Sequence, residues 1–153
     1  MSFKRLNDIR PMEKPQPIEI RIVKKWMAQT KTQGAVKSDL CYQFVDKYGD
    51  GIEATADAGE VEYYDSIIRL QSCYRVTGYV CTKARDFMAT VNHDASLIIG
   101  KKARFVPTDN LEIPTIYFGF AHYGLLKGRV KDNSLLNGLF IHKGITILNY
   151  VTI

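Results

Sequence analysis

The sequence predicts an all-β domain, a small antiparallel Greek-key barrel of five strands with one short helix between the third and fourth. Three observations predict it. First, residues 36–56 read as a hairpin: Val36, Leu40, Tyr42 and Phe44 alternate with Lys37, Asp39, Cys41 and Gln43, the period of two of a half-buried strand. The run Asp46-Lys47-Tyr48-Gly49-Asp50-Gly51 supplies turn residues before Ile52, Ala54 and Ala56 resume the alternation. Second, the same alternation recurs upstream and downstream of the hairpin. Third, a helical spacing falls between the third and fourth strands, which is the element order of an OB-fold. Composition alone leaves a β-sandwich open, and the position of the helix decides against it.

The elements follow in order. Residues 1–16 read as a lead-in, with Pro11, Pro15 and Pro17 opposing regular structure. Residues 18–26 form the first strand, with Ile18, Ile20 and Ile22 on one face and Glu19 and Arg21 on the other. Residues 27–35 read as a polar loop and residues 36–56 as the hairpin. Across residues 58–70, Val61, Tyr64 and Ile68 share one side at spacings of three and four, while Glu60, Glu62 and Asp65 face out. Residues 73–82 are the fourth strand, with Tyr74, Val76, Gly78 and Val80 alternating against Cys73, Arg75, Thr77 and Tyr79. The charged loop Lys83-Ala84-Arg85-Asp86-Phe87 leads to a fifth strand at 95–99, and residues 104–106 extend the sheet. The expected domain covers 17–110, followed by a connector and apolar tail over 111–153.

Composition narrows the function classes. A chain of 153 residues suits one domain and a tail, and its 46% apolar and 24% charged content is ordinary for a globular protein. No apolar run approaches the ~20 residues of a spanning helix, so no membrane partner is expected. The N-terminal stretch is polar and does not read as a secretory signal. Three cysteines, an odd number, and the absence of an Asn-x-Ser/Thr acceptor favour a reducing compartment. The net charge of +5 is uneven: +4 over residues 1–50, −3 over 51–100 and +4 over 101–153. A basic balance permits a polyanion partner without demanding one.

No catalytic constellation stands out. Cys73 and Cys81 sit eight apart on one predicted strand and cannot clamp a zinc as a CxxC pair does. His93, His122 and His142 are scattered, and Asp46, Asp50 and Glu53 lack the ligand rhythm of a calcium loop. Neither a Ser/His/Asp order nor a phosphate-cradling glycine loop is present. A binding protein without cofactor or metal is expected, and an enzyme is not.

Several pieces in their order resemble a known family. These are the strand Ile18-Glu19-Ile20-Arg21-Ile22-Val23-Lys24-Lys25-Trp26, the turn entry Phe44-Val45-Asp46-Lys47-Tyr48-Gly49-Asp50 and the strand Ile52-Glu53-Ala54-Thr55-Ala56. Tyr74-Arg75-Val76, the loop Lys83 to Phe87, and Asn92-His93-Asp94 complete the set. Together they resemble the large subunit of replication protein A, the eukaryotic single-stranded DNA-binding complex, and most of all its plant-type large-subunit-like relatives. The resemblance covers about residues 4–110, one OB domain. It implies sequence-tolerant binding of single-stranded DNA in replication, repair or recombination, a nuclear location, and replication protein A-type subunits as partners. RNA is a further ligand class that a stacking groove does not exclude.

Carried over by position, the resemblance implies a groove between the loop after the first strand and the loop after the fourth. Lys24, Lys25, Trp26 and Lys31 flank the first loop, and Lys83, Arg85 and Phe87 belong to the second. Phe87 stands where the family places a base-stacking aromatic, and the cations meet phosphates. Two residues oppose this. Asp57 stands where those domains often carry a second stacking ring, and Glu53 where they are often basic. These two favour the alternative of a protein-interaction OB domain with a degenerate groove. Residues 111–136 resemble a connector between OB domains, and the apolar stretch from 138 to 153 is expected to be poorly ordered or to dock on an exposed edge.

Overall fold

The computed structural model describes residues 2–32, 34–85 and 89–117, with backbone alone at 30–32. The rest of the connector and the apolar tail lie outside the described residues. Seven strands, rather than the five expected, form one curled sheet: β1 (Ile18–Thr32), β2 (Ala35–Val45), β3 (Gly51–Ala56), β4 (Cys73–Thr77), β5 (Val80–Lys83), β6 (Ala95–Ile99) and β7 (Arg104–Thr108). The helix α1 (Val61–Ile67) lies between β3 and β4, as the spacing predicts, and a 3-10 turn (Ala58–Glu60) precedes it. Tyr64 and Ile68 are buried, with Val61 packed against the same core.

The strand order is β5-β6-β3-β2-β1-β4-β7, and β3–β6 is its parallel pair. β4 and β5 are separated by only Gly78 and Tyr79, yet they stand near opposite ends of that order. A two-residue link can join them only if the sheet curls until its ends approach. The curl thus divides the predicted fourth strand in two. Gly78 sits at φ +73°, and a Cβ built there would lie 2.0 Å from the carbonyl oxygen of Lys102. No residue with a side chain fits both constraints. The seventh strand, β7, adds to β4 with Arg75 paired to Val106.

β1 is longer than expected because the stretch read as a polar loop is a continuation of the hairpin. Its register runs from Arg21 opposite Val45 to Thr32 opposite Ala35. Polar content misleads here: an exposed two-stranded ribbon needs no apolar face. An irregularity between Ile22 and Lys24 shifts the register by one residue. Such bulges sharpen the twist of a strand, and this one lets β1 pair with β4 at its start and β2 along the remainder.

The core is built from Ile18, Ile20, Ile22, Leu40, Tyr42, Phe44, Ile52, Leu97 and Ile99, all almost fully buried. Phe105 of β7 packs edge-on to Phe44 and Tyr74. The lead-in contributes as well: Leu6 and Ile9 are buried in the same cluster. Asp46 holds them in place. Its Oδ2 accepts the Leu6 amide at 2.8 Å, while Oδ1 accepts the amides of Tyr48 and Asp50 at 3.0 and 3.1 Å. One carboxylate therefore organises the β2–β3 turn and pins the N-terminal segment to it, and its burial raises the carboxyl above the ordinary aspartate value. His93 accepts the Ala95 amide at Nδ1, so Nε2 donates to the Leu6 carbonyl.

Two outcomes follow for stability. Gly78→Ala should lower unfolding free energy in urea by about 1–3 kcal/mol or prevent folding, since strain at a positive φ adds to a backbone clash. Leu6→Ala should cost about 2–5 kcal/mol in the same measurement, the range for a buried leucine. A solvated lead-in would instead leave the midpoint unchanged.

Candidate nucleic-acid interface

In an antiparallel sheet, directly paired residues share a face. On the outer face, Lys24 of β1 lies opposite Gln43 of β2, which lies opposite Glu53 of β3. The next row is Trp26, Cys41 and Thr55. The Lys24 row and the Trp26 row are flanked by the extended β1–β2 hairpin on one side and the loop after β5 on the other. That is the position at which the resemblance places the groove.

The loop after β5 is bolted to this face by Glu53. The carboxylate is buried (6% exposed). Arg85 reaches it with both arms of its guanidinium, Nε to Oε1 at 3.0 Å and Nη2 to Oε2 at 3.2 Å. The Thr90 amide and hydroxyl donate to Oε2 at 2.7 and 2.6 Å. Gln43 Nε2 then donates to Thr90 Oγ1 at 3.2 Å, while Gln43 Oε1 is buried without a hydrogen-bond partner among the described residues. The Arg85 guanidinium also stands 6.0 Å from the centre of the Trp26 ring. Glu53 is thus neutralised and anchored, and it presents no bare negative charge to the face.

The structure brings Lys24, Trp26 and Arg85 together on the outer face. Lys24 is half-buried and makes no ion pair among the described residues. Burial lowers its ammonium below the ordinary lysine value, with the charge of Glu53 acting in the opposite direction. Trp26 is 8% exposed, so its ring is largely covered. Lys83 is exposed at the end of β5. Lys25 is not part of this group. It pairs with Tyr42 of the core face and forms a salt bridge with Asp65 of α1. The side chain of Lys31 and the whole of Phe87 lie outside the described residues. Asp57 is exposed and donates its amide to the Ile99 carbonyl at 2.8 Å.

Sequence reasoning did not anticipate what covers the next row of this face. Ile113 packs with Val45, Cys73, Val23 and Tyr117 in a second small cluster. Tyr117 lies over Gly51, where an added Cβ would come within 2.7 Å of its ring. Arg21 holds the strap by donating from Nε and Nη2 to the Ile113 carbonyl at 3.2 and 3.1 Å. The signal available in sequence was the glycine opening β3. The cysteines are buried and free, and burial pushes the Cys41 thiol up to about 11, which keeps it protonated and unreactive at neutral pH.

Glu53→Ala should release the loop. It orphans the Thr90 amide and the Arg85 fork, so a loss of about 1–3 kcal/mol is expected, with faster amide exchange at Thr90 and Val91 than at the core strands. Unchanged exchange at these two amides would show that the loop is held by other means.

Comparison with solved structures places the chain among OB domains. It superposes on a replication protein A heterotrimer bound to ssDNA with a TM-score of 0.64 and 13% identity, over 82% of this chain and 29% of that one. On DNA-binding domain A of S. cerevisiae replication protein A the TM-score is 0.54 with 16% identity, over 71% and 95%. On Schizosaccharomyces pombe Pot1pC bound to ssDNA it is 0.50 with 10% identity, over 73% and 91%. No family model and no curated protein matches the sequence. At these identities the likeness is one of fold: a curled sheet with one short helix, the OB architecture, with two strands more than the five expected.

Proposed function

We propose that this domain binds single-stranded DNA along the outer face of β1, β2 and β3, without sequence preference. The observation that carries the reading is Lys24: a half-buried ammonium on the OB sheet face, in the row beside Trp26, with no carboxylate in ion-pair contact among the described residues. Burying a cation without a partner is costly, and a phosphate seated beside it would recover part of that cost. Trp26 and Arg85 stand on the same face. The structural neighbours that carry DNA in their own structures support the reading at the level of fold. By the same reading the protein serves DNA replication, repair or recombination in the nucleus, beside subunits of the replication protein A kind.

A second reading, a protein-interaction domain, is favoured by one observation: both arms of the Arg85 fork are taken up by Glu53. An arginine engaged in this way has little left to offer a phosphate.

Fluorescence anisotropy with labelled oligo-dT separates the two. Binding should weaken as salt rises, with a log–log slope of about −0.7 per phosphate neutralised on a single strand. Lys24→Ala should weaken binding and make that slope shallower by about one such unit, with circular dichroism unchanged. Absence of binding at low salt sinks the DNA reading and leaves the protein-interaction one.

A further inference from the structure

The same outer face continues past the Ile113–Tyr117 strap to a second cluster of rings and cations at the β2–β3 turn. Alternation along β1, carried across its bulge, puts Glu19 on the face of Arg21, Lys24 and Trp26. Glu19 accepts from Arg75 Nε at 3.1 Å and from Asn110 Nδ2 at 2.6 Å. Arg75 in turn stands 5.4 Å from the centre of the Phe3 ring. In the turn itself Tyr48 is 54% exposed. Arg5 lies 4.7 Å from its centre and is fixed there by Asp50, with Nε to Oδ2 at 2.6 Å. Lys47 lies 5.3 Å from the same centre and is itself exposed. A cleft of about 110 Å³ opens between Phe3 and Tyr48, lined also by Lys4, Glu19 and Lys47.

We propose that Tyr48 is a second stacking platform, which takes a base of the single strand after it leaves the Lys24–Trp26 rows. This rests on the single-strand-binding reading and extends its footprint. The chemistry suits a nucleotide. Arg5 is committed to Asp50, so it braces the Tyr48 ring as a fixed backing. Lys47 has no such tether among the described residues, so it can move from the ring to a phosphate while a base takes its place. Lys4, which also lines the cleft, is paired with Glu13 at 3.4 Å, so Lys47 is the cation left for the backbone of the strand. The last ladder row before the turn, Val45 opposite Gly51, lies about 7 Å beyond the Gln43 row at the usual rise of a strand and is covered by Ile113 and Tyr117. A single strand that crosses over this strap meets the turn within a few nucleotides. Stacking on such a ring tolerates every base, in keeping with sequence-tolerant binding.

The test uses the full chain, labelled oligo-dT of roughly 6 and roughly 18 nucleotides to bracket the ~4–16-nucleotide footprints of OB folds, and the variants Tyr48→Ala and Tyr48→Phe. Tyr48 is exposed, so neither change should disturb folding, which circular dichroism checks. Tyr48→Ala should weaken binding of the long oligonucleotide by at least roughly fivefold, leave the short one unchanged, and be rescued by Tyr48→Phe, which keeps the ring. Equal affinity of wild type and Tyr48→Ala for the long oligonucleotide overturns the platform while the DNA reading stands. Equal losses at both lengths, or no rescue by phenylalanine, overturn it too. If the wild-type chain binds neither length, the DNA reading itself fails and the platform with it.

Discussion

At Gly78 the backbone passes so close to the Lys102 carbonyl that a side chain has no room, and it does so at a φ of +73°. Because only two residues separate β4 from β5, this point is where the sheet must curl until its ends approach. The curl that results encloses the core of isoleucines and aromatics, leaves β1, β2 and β3 with a distinct outer face, and sets β7 beside β4. The outer face is therefore a consequence of the curl, and its side chains inherit their positions from the register of β1 against β2.

Given that face, the next constraint is the burial of Glu53. An isolated carboxylate in such surroundings would be expensive, and it is tolerated because Arg85 and Thr90 meet both its oxygens. The same bonds fasten the loop after β5 to β3. A residue that looks, in the sequence, like an obstacle to an anionic ligand is thus the anchor of one wall of the interface. Its charge is balanced by a guanidinium, and Lys24 stands in the same row two strands away, across Gln43. What a phosphate would feel along this row is the excess of cation over anion.

The pattern of the chain made most of the fold readable, and what it missed has identifiable causes. The hairpin from 36 to 56, α1 and the strand at 95–99 stand out because their large apolar residues alternate or repeat at helical spacing in the sequence, although from Leu40 to Val45 both faces of the hairpin are buried. The break at Gly78 was hidden because alternation continues on both sides of it; only a backbone conformation divides the strand. The long β1–β2 ribbon read as a loop because its sequence is polar, and Met27, Gln29 and residues 34–38 are exposed rather than packed on a core. Leu6 and Ile9 were concealed among prolines, and they are buried through an aspartate forty residues away in sequence. At the site, strand order brought the Lys24 row and the loop after β5 into view. It could not show that Lys25 points to α1, since one bulged residue at Val23 changes which face each later side chain takes. The Glu53–Arg85 pairing was equally invisible, because it joins residues of separate elements through side-chain geometry alone.

These pairings change how the positive charge of the chain should be understood. Arg85 is tied to Glu53, Lys25 to Asp65, Arg75 to Glu19 and Arg5 to Asp50. Each joins two elements: loop to β3, β1 to α1, β4 to β1, N-terminal segment to the β2–β3 turn. Apart from the buried Glu53 pair, partly exposed pairs of this type contribute little to stability individually, so their main effect here is positional. They hold guanidinium groups against Phe3 and Tyr48 and so set the orientation of rings that a base could meet, while the ring beside Arg85, Trp26, is largely covered. The net charge of +5 consequently overstates the cations available to a backbone. Those left over on the face and turn are chiefly Lys24, Lys83 and Lys47. An interface with few uncommitted cations and several braced rings gains more from stacking than from counterion release. Its selectivity should then fall between single strands, whose bases are open to rings, and duplexes, whose bases are already stacked on one another.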